Sequence, residues 1–227
     1  MPRVPVKIVG WDEIVEWSRG LAEKVESSGY TPDVIVAVAR GGYVPARLLC
    51  DFLDVNDLLS VQSQHWVEAA RAAEKAILKY PYKVDLSGKK VLLVDDIVDT
   101  GETLLLARDY IAREWRPESV RIAVLQWISS VAKFEPDYYH LEVKDWTWFQ
   151  YPWTRLEDLQ QFIARMLRED EELKTMSLIP LGLLEEKFVE WYGVRPGDFG
   201  SYWPLALRRL EMKGVIRREP GGIRKTL

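Results

Sequence analysis

The stretch from Val91 to Leu105, VLLVDDIVDTGETLL, constrains the fold of this chain more than any other part of the sequence. It opens with an apolar run over Val91–Val94, which is typical of a strand covered on both faces of a parallel sheet. Asp95 and Asp96 follow that run, at the edge where open α/β sheets bind their ligands. The stretch therefore predicts an α/β fold with a site at the carboxyl end of this strand.

The turn after the acidic pair suits an anion. Thr100 and Thr103 offer hydroxyl groups, and Gly101 lets the backbone approach a ligand closely. A helix that opens here adds free N–H groups, and its dipole favours negative charge. An ordinary N-capped turn has the same residue types, so the turn alone leaves both interpretations open.

Together these residues resemble the 5-phosphoribosyl-1-pyrophosphate (PRPP) signature of the type I phosphoribosyltransferases. The resemblance implies a parallel sheet flanked by helices with a small hood. It also implies that Asp95 and Asp96 hold the ribose hydroxyls, one of them reaching Mg²⁺ through water. The 5′-phosphate would be bound by the residues of the turn: Asp99, Thr100, Gly101, Glu102 and Thr103.

A second loop, Arg40-Gly41-Gly42, follows a strand predicted over Val34–Val38. Its glycines allow N–H groups to turn toward an anion, and the guanidinium presents a planar fork. By itself such a tripeptide is more often a plain turn. Its place one strand–helix unit before the PRPP-like stretch favours pyrophosphate binding. The surrounding VARGGYVPARLL resembles xanthine-guanine and related purine enzymes of bacteria and archaea.

Asp99 separates the subclasses of this family. The resemblance implies that 6-oxopurine enzymes carry an acid here that shares a proton with purine N7, whereas adenine and orotate enzymes carry a small or apolar residue. A carboxylate near the imidazole edge can act as acid or base while N9 bonds to the ribose. The alternative is that Asp99 caps the helix that begins near Gly101.

The segment Thr147–Trp153, TWFQYPW, resembles the purine-reading segment of the xanthine-guanine enzymes. The resemblance implies that Trp148 stacks on the purine and that the backbone of Phe149 meets its Watson–Crick edge. Base stacking on an aromatic side chain is worth about 1–3 kcal/mol.

Two departures from the family argue against guanine. The lysine that donates to purine O6 is missing after the strand predicted over Val120–Leu125, where Gln126 stands instead, and Thr154 replaces an acid expected after the Pro-Trp pair. An amide oxygen at Gln126 suits an exocyclic amine. We therefore expect adenine as the substrate of a purine salvage enzyme, with hypoxanthine, guanine or xanthine as the close alternative.

The polar, irregular segment 62–85 occupies the place of the mobile catalytic loop of this family. It contains the cationic candidates His65, Arg71, Lys75 and Lys79. Such residues would add positive charge near the leaving group and help exclude water. Each of them is individually more often a solvated surface residue.

The resemblance covers a predicted catalytic domain over 1–154 and leaves an extension over 155–227. Apolar spacing in the extension predicts a helix from about Leu156 and two more over Leu181–Tyr192 and Trp203–Lys213. A short hairpin with a Pro-Gly-Gly turn closes the sequence. This order indicates a winged-helix-like module, which we expect to pack on the catalytic domain or to build a homodimer.

Charge and composition separate two function classes. The chain has 227 residues, 48% hydrophobic content and a net charge of −4, and its N-terminus lacks the apolar run of a signal peptide, so we expect a cytoplasmic globular enzyme. From Pro204 onward, however, seven Lys or Arg stand against two Glu. The competing class is therefore a PRPP- or purine-sensing regulator whose basic tail binds DNA, which is the less favoured of the two.

Overall fold

A computed structural model describes residues 3–67 and 74–226 of the chain. Its strands are β1 (Val6–Ile8), β2 (Val34–Ala39), β3 (Asp57–Val67), β4 (Glu74–Lys79), β5 (Lys90–Val98), β6 (Ser119–Ile128), β7 (Tyr138–Val143), β8 (Trp148–Gln150), β9 (Ile179–Pro180), β10 (Ile216–Glu219) and β11 (Gly222–Lys225). Its α-helices are α1 (Trp11–Ser27), α2 (Tyr43–Phe52), α3 (Glu102–Glu114), α4 (Arg155–Glu169), α5 (Leu181–Tyr192) and α6 (Tyr202–Met212). Short 3-10 helices cover Leu173–Thr175 and Pro196–Phe199.

The chain forms two compact units. The sheet unit comprises Trp11–Trp146, and the C-terminal unit combines Met1–Gly10 with Thr147–Leu227. These units divide the chain before Thr147, whereas the predicted catalytic domain ends at residue 154. The predicted boundary concerns the limits of the catalytic function, and it stays a prediction.

The sheet unit is built on six strands in the order β4-β3-β2-β5-β6-β7. Strands β3, β2, β5, β6 and β7 run parallel, and β4 pairs antiparallel with β3. In β2 every residue is buried. Val34, Val36 and Val38 share a cluster with α3 residues, so Ile35 and Ala37 face the opposite side of the sheet. Helices cover both faces, which explains the continuous apolar strands.

The predicted strands and helices of this unit are confirmed in position, with errors in the C-terminal ends of β5 and β6 and in the segment 62–85. This segment is not irregular over its whole length, because β3 continues to Val67 and pairs antiparallel with β4 from Gln62↔Lys79 onward. The resulting hairpin accounts for an antiparallel edge that the sequence did not predict. Residue 71 and the side chains of residues 65 and 75 lie outside what the structure describes.

The C-terminal unit has the predicted helix order. After α4 come β9, α5 and α6, followed by the β10–β11 hairpin, and β11 pairs on its other side with β9. This is the arrangement of a winged helix, so the predicted fold class is confirmed. Its core is rich in aromatic residues, among them Phe162, Phe188, Trp191 and Tyr192. A separate two-stranded sheet joins β1 to β8 in parallel.

None of the helices in the described ranges combines the length and the apolar character that a membrane crossing requires.

Candidate active site

The carboxyl ends of β2 and β5 form the centre of the candidate site. Strand β3 lies beyond β2 and β6 lies beyond β5, so the winding of the sheet reverses between these two neighbours. The ladder between β2 and β5 ends at Ala37↔Val94, whereas β6 continues to pair with β5 as far as Val98. A crevice at such a reversal is the usual ligand position in open α/β sheets.

The acidic pair lies within β5 and not after it. Asp95 pairs with Val124 and Ile97 with Gln126, so the predicted strand Val91–Val94 was too short. The reason is the length of β6, whose backbone supplies ladder partners to β5 after the β2–β5 ladder has ended at Val94. The pair nevertheless stands where β2 and β5 no longer pair, as a ligand-binding position at this reversal requires.

The predicted pyrophosphate loop packs directly on this pair. A β-carbon added to Gly41 would collide with the carboxylate of Asp96, and one added to Gly42 would collide with the carbonyl oxygens of Val94 and Val38. Both positions therefore require glycine for close approach. Arg40 begins the loop on the exposed side, after a cis peptide bond to Ala39. The structure thus brings together the two motifs that the sequence placed in one site.

The surroundings of the acidic pair favour the protonated form of Asp95. Burial and the adjacent Asp96 raise the pKa of the Asp95 carboxyl well above its usual range. Backbone N–H groups of Asp96 and Gly42 donate hydrogen bonds that lower this pKa, but they do not outweigh the two larger effects. The pair is therefore poised to gain from a cation or from donated hydroxyl groups.

The predicted phosphate turn lies between β5 and α3. Gly101 is the N-cap residue of α3 at a φ of 84°, a left-handed conformation that favours glycine. No side chain caps this helix, so the alternative role for Asp99 as a helix cap is not seen. The first N–H groups of α3 are thus not used by a side-chain cap.

Two residues missed by the sequence analysis hold this turn. Lys133 donates its backbone N–H to the carbonyl of Thr100 and pairs its ammonium with the carboxylate of Glu102. The ring of Phe134 lies where a β-carbon on Gly101 would project. Because the Glu102 carboxylate is engaged with Lys133, only the backbone of Glu102 remains suited to a phosphate. No local pattern in the sequence signals these contacts, since they join segments far apart in the chain.

Asp99 lies on the exposed side of the turn. Partial burial of its carboxylate raises its pKa above the ordinary value. A carboxylate with a raised pKa is a better proton acceptor than one in bulk water. The position therefore suits the predicted proton-transfer role.

The sequence predicted that Gln126 follows its strand, and this prediction is wrong. Strand β6 runs to Ile128, and Gln126 lies inside it, between Ile97 of β5 and Leu141 of β7. Its relative exposure is 0%. A side chain buried within the sheet is a poor candidate for reading a purine edge.

Trp148 and Phe149 belong to the C-terminal unit. Both lie in β8, and the Trp148 ring meets the Phe162 ring edge to face at a centroid distance of 5.4 Å. Phe149 is buried. These contacts explain how Trp148 is held, and its predicted stacking role rests on the sequence resemblance.

Comparison with known proteins matches the sheet unit to one family. A family model described as a phosphoribosyl transferase domain matches residues 10–157. A xanthine-guanine phosphoribosyltransferase of Cereibacter sphaeroides is 33% identical over 155 residues, which cover 64% of this chain and 84% of that protein. A protein of the same name from Desulfotalea psychrophila is 29% identical, over 72% of this chain and 93% of its own.

Comparison with solved structures gives the same family. The purine phosphoribosyltransferase of Pyrococcus horikoshii is 30% identical and superposes with a TM-score of 0.57, over 66% of this chain and 94% of that one. The match of the family model ends at residue 157, so nearly all of α4 and everything after it lie outside the matched range.

Proposed function

This chain belongs to the phosphoribosyl transferase domain family, and we propose that within the purine branch it transfers the phosphoribosyl group of PRPP to a 6-oxopurine base. The observation that carries this proposal is the packing of Gly41 against Asp96 where β2 ends beside β5. This contact joins a loop suited to binding pyrophosphate to an acidic pair suited to binding the ribose hydroxyls. The choice of base is supported by the Cereibacter sphaeroides relative, whose name specifies xanthine and guanine.

Adenine has less support. The expectation of adenine depended on Gln126 as the reader of an exocyclic amine, and Gln126 is fully buried inside β6. The two bacterial relatives named above are xanthine-guanine enzymes, the Pyrococcus horikoshii protein is named for purines in general, and none of the three is named for adenine. Asp99 adds to the case for 6-oxopurines, because the family resemblance associates an acid at this place with them.

The proposed reaction breaks the bond between ribose C1 and pyrophosphate oxygen and forms a bond between C1 and purine N9. Negative charge builds on the leaving pyrophosphate, so Arg40 and the N–H groups of Gly41 and Gly42 would stabilise it. Asp95 and Asp96 would hold the ribose hydroxyls in position for attack. The free N–H groups at the start of α3 would bind the 5′-phosphate.

Asp99 would take up the proton that the purine loses. Its raised pKa makes it a stronger base than an ordinary aspartate. Electrostatic stabilisation and positioning would carry the remainder of the catalysis.

The donor set also fits the Mg²⁺ that the family implies. Magnesium ions are bound through one or two carboxylates plus substrate phosphates and waters, and Asp95 and Asp96 supply two carboxylates whose mutual repulsion a cation would relieve. Within the described residues no group of three or more His, Cys, Asp or Glu forms a complete metal cage. Bound Mg²⁺ would neutralise charge on the pyrophosphate of PRPP.

The test is pyrophosphate release from PRPP and Mg²⁺, with adenine, hypoxanthine, guanine and xanthine offered separately. The proposal expects turnover on the oxopurines and little on adenine. Turnover confined to adenine would reject the proposed base. Failure of all four bases, with PRPP binding retained in a calorimetric titration, would reject the enzyme function itself.

The base-stacking role of Trp148 and a homodimeric assembly stay predictions. Replacement of Trp148 by Ala should raise the KM for the purine with little change in the KM for PRPP, because stacking contributes about 1–3 kcal/mol to base binding. Light scattering of the full chain tests the assembly.

A further inference from the structure

We propose that the C-terminal unit binds double-stranded nucleic acid through the outer face of α6 and the adjoining strand β10. The fold supplies the geometry. Helices α5 and α6 follow each other in the chain, joined by residues 193–201 with the 3-10 helix Pro196–Phe199, and the hairpin β10–β11 begins a few residues after α6. In helix-turn-helix proteins the second helix of such a pair lies in the major groove, whose width of about 12 Å admits one α-helix.

The outer face of α6 is presented to solvent in a regular stripe. Residues 201, 204, 205, 208, 209 and 212 are exposed, at the spacing of one helix face, while Trp203, Ala206, Leu207 and Leu210 are buried in the core. Arg208 and Arg209 lie in this stripe. Both point away from the core of the unit and are available to a ligand.

The cations of this region fall into two groups. Arg218 pairs with Glu211 and Arg224 pairs with Glu219, while the ammonium of Lys225 donates to backbone carbonyls. These three cations are engaged: Arg218 and Lys225 join the hairpin to the rest of the unit, and Arg224 joins its two strands.

The second group is not engaged in this way. Arg208, Arg209, Lys213 and Arg217 are exposed, and in the part of the chain that the structure describes none of them forms an ion pair. All four lie on α6, on the residue that follows it, or on β10. The hairpin cations are thus paired, whereas these four exposed cations of the described residues carry no ion pair. Lys and Arg clustered along a helix are the electrostatic footprint of phosphate binding.

Acidic residues fix the orientation of the proposed contact. Glu185 and Glu186 of α5, with Asp198, line a groove beside the start of α6, where they outnumber the cation Arg195. The net negative charge of this lining would repel phosphates. The contact should therefore be made by the second half of α6 and by β10, and Pro220 and Gly221 at the hairpin tip would lie toward the flanking backbone.

The charge count gives the expected salt dependence. Four phosphate contacts correspond to a slope of log K against log salt of about −3.6, or about a 100-fold loss of affinity between about 50 and 200 mM salt. This dependence is weaker than that of repressors with more contacts, so binding is expected only at low to moderate ionic strength.

The experiment measures fluorescence polarisation of a labelled mixed-sequence DNA duplex of about 20 base pairs, close to two helical turns, with the full chain. The wild type should bind with the salt slope given above. The double variant Arg208→Gln, Arg209→Gln should bind more weakly and reduce the slope by about two. The matched control Lys89→Gln, Lys144→Gln removes two exposed cations from the sheet unit and should leave both quantities unchanged.

Retained pyrophosphate release shows that each variant is folded, and binding does not depend on the proposed catalytic function. Equal loss of affinity in both double variants would overturn the proposal, because the attraction would then be general. Absence of binding at about 50 mM salt would overturn it as well. If light scattering then showed that Arg208 and Arg209 control self-association, the surface would belong to a second copy of the chain.

Discussion

The two units each enclose an aspartate carboxylate, and they treat it in opposite ways. In the C-terminal unit, Asp170 accepts hydrogen bonds from the indole N–H of Trp191 at 2.8 Å and from the backbone N–H groups of Glu172 and Leu173 at 3.1 Å. Although burial acts to raise its pKa, these donors hold the pKa of Asp170 below its ordinary value. In the sheet unit, the neighbour of Asp95 is another carboxylate, and the pKa of Asp95 is raised.

This difference is the one expected between a structural carboxylate, such as Asp170, and a carboxylate that binds a ligand, as proposed for Asp95. Asp170 stabilises the native chain, because folding supplies the donors that the ionised group needs. Asp95 at neutral pH costs stability, since folding places its charge beside a like charge. Perturbation of this second kind is what functional sites tolerate in return for binding.

The largest expected effect is on chemistry in the sheet unit. Asp99→Asn should lower kcat by about 10²–10⁴-fold, because a positioned base is removed. It should leave PRPP affinity and unfolding unchanged. The pH profile of kcat/KM is the sharper readout: wild-type activity should fall as the pH drops through the raised pKa of Asp99, and the variant should lose that acid limb. Loss of PRPP affinity with turnover retained would assign Asp99 to binding.

In the C-terminal unit, by contrast, removal of the aspartate is expected to lower stability. Asp170→Ala should lower the free energy of unfolding by about 2–3 kcal/mol, because hydrogen bonds to a charged acceptor are lost and a buried indole N–H is left unsatisfied. Urea unfolding measures this change. The exposed neighbour Glu171 provides the control, since its pairing with Lys174 is at the surface and Glu171→Ala should cost less than about 1 kcal/mol.

The stabilisation by Asp170 should also depend on pH in a defined direction. A lowered native pKa means that the stabilisation is complete above the unfolded value of about 3.9 and is lost as the pH falls through the native value. The difference between wild type and Asp170→Ala should therefore shrink at acidic pH. A constant difference across that range would show that packing, and not charge, is responsible.

A smaller effect is expected from a single methyl group at the strand reversal. Gly42→Ala should destabilise the chain by about 1–3 kcal/mol, because its β-carbon would press on two strand carbonyls. Transfer activity should fall with it. The control lies in the other unit: a β-carbon at Gly182 meets nothing within 4 Å, so Gly182→Ala in α5 should be neutral or stabilising. Equal tolerance at both positions would show that the loop is not tightly packed on β5.

The smallest effect is expected at Lys133. Its ammonium pairs with Glu102 at the surface, and such pairs are worth about 0–1 kcal/mol. Lys133→Gln should therefore change the thermal midpoint very little, while a modest rise in the KM for PRPP would indicate that the pair steadies the phosphate turn. A loss of transfer larger than tenfold, about 1.4 kcal/mol, would mean that Lys133 contacts substrate.

What the sequence could predict follows from where each signal lies. The helices of the C-terminal unit were predicted to within a residue or two because α5 and α6 carry their apolar period locally. The acidic pair and the glycine loop were identified because each occupies a few adjacent residues. Their contact through Gly41 and Asp96 was implied by the shared edge of a parallel sheet.

The errors have a common physical cause. The extent of β5, the burial of Gln126 and the hairpin β3–β4 all depend on which partner a strand meets, and no window of adjacent residues contains that information. The same applies to Phe134, whose packing on Gly101 crosses a long sequence separation. Local patterns gave the candidate site residues, whereas tertiary pairing determined how each side chain is presented.

The most direct test of the contrast between the units is a paired measurement on Asp95→Asn, of thermal midpoint and of pyrophosphate release at neutral pH. Because the native chain holds the Asp95 proton more tightly than the unfolded chain does, stability is lost as the pH rises toward the native pKa, and the amide removes that loss. The account predicts a higher midpoint, by about 2–4 °C for each kcal/mol regained, together with transfer reduced at least about tenfold. The surface variant Asp109→Asn should change neither quantity. A lower midpoint with transfer retained would contradict the account, since Asp95 would then be a structural residue like Asp170.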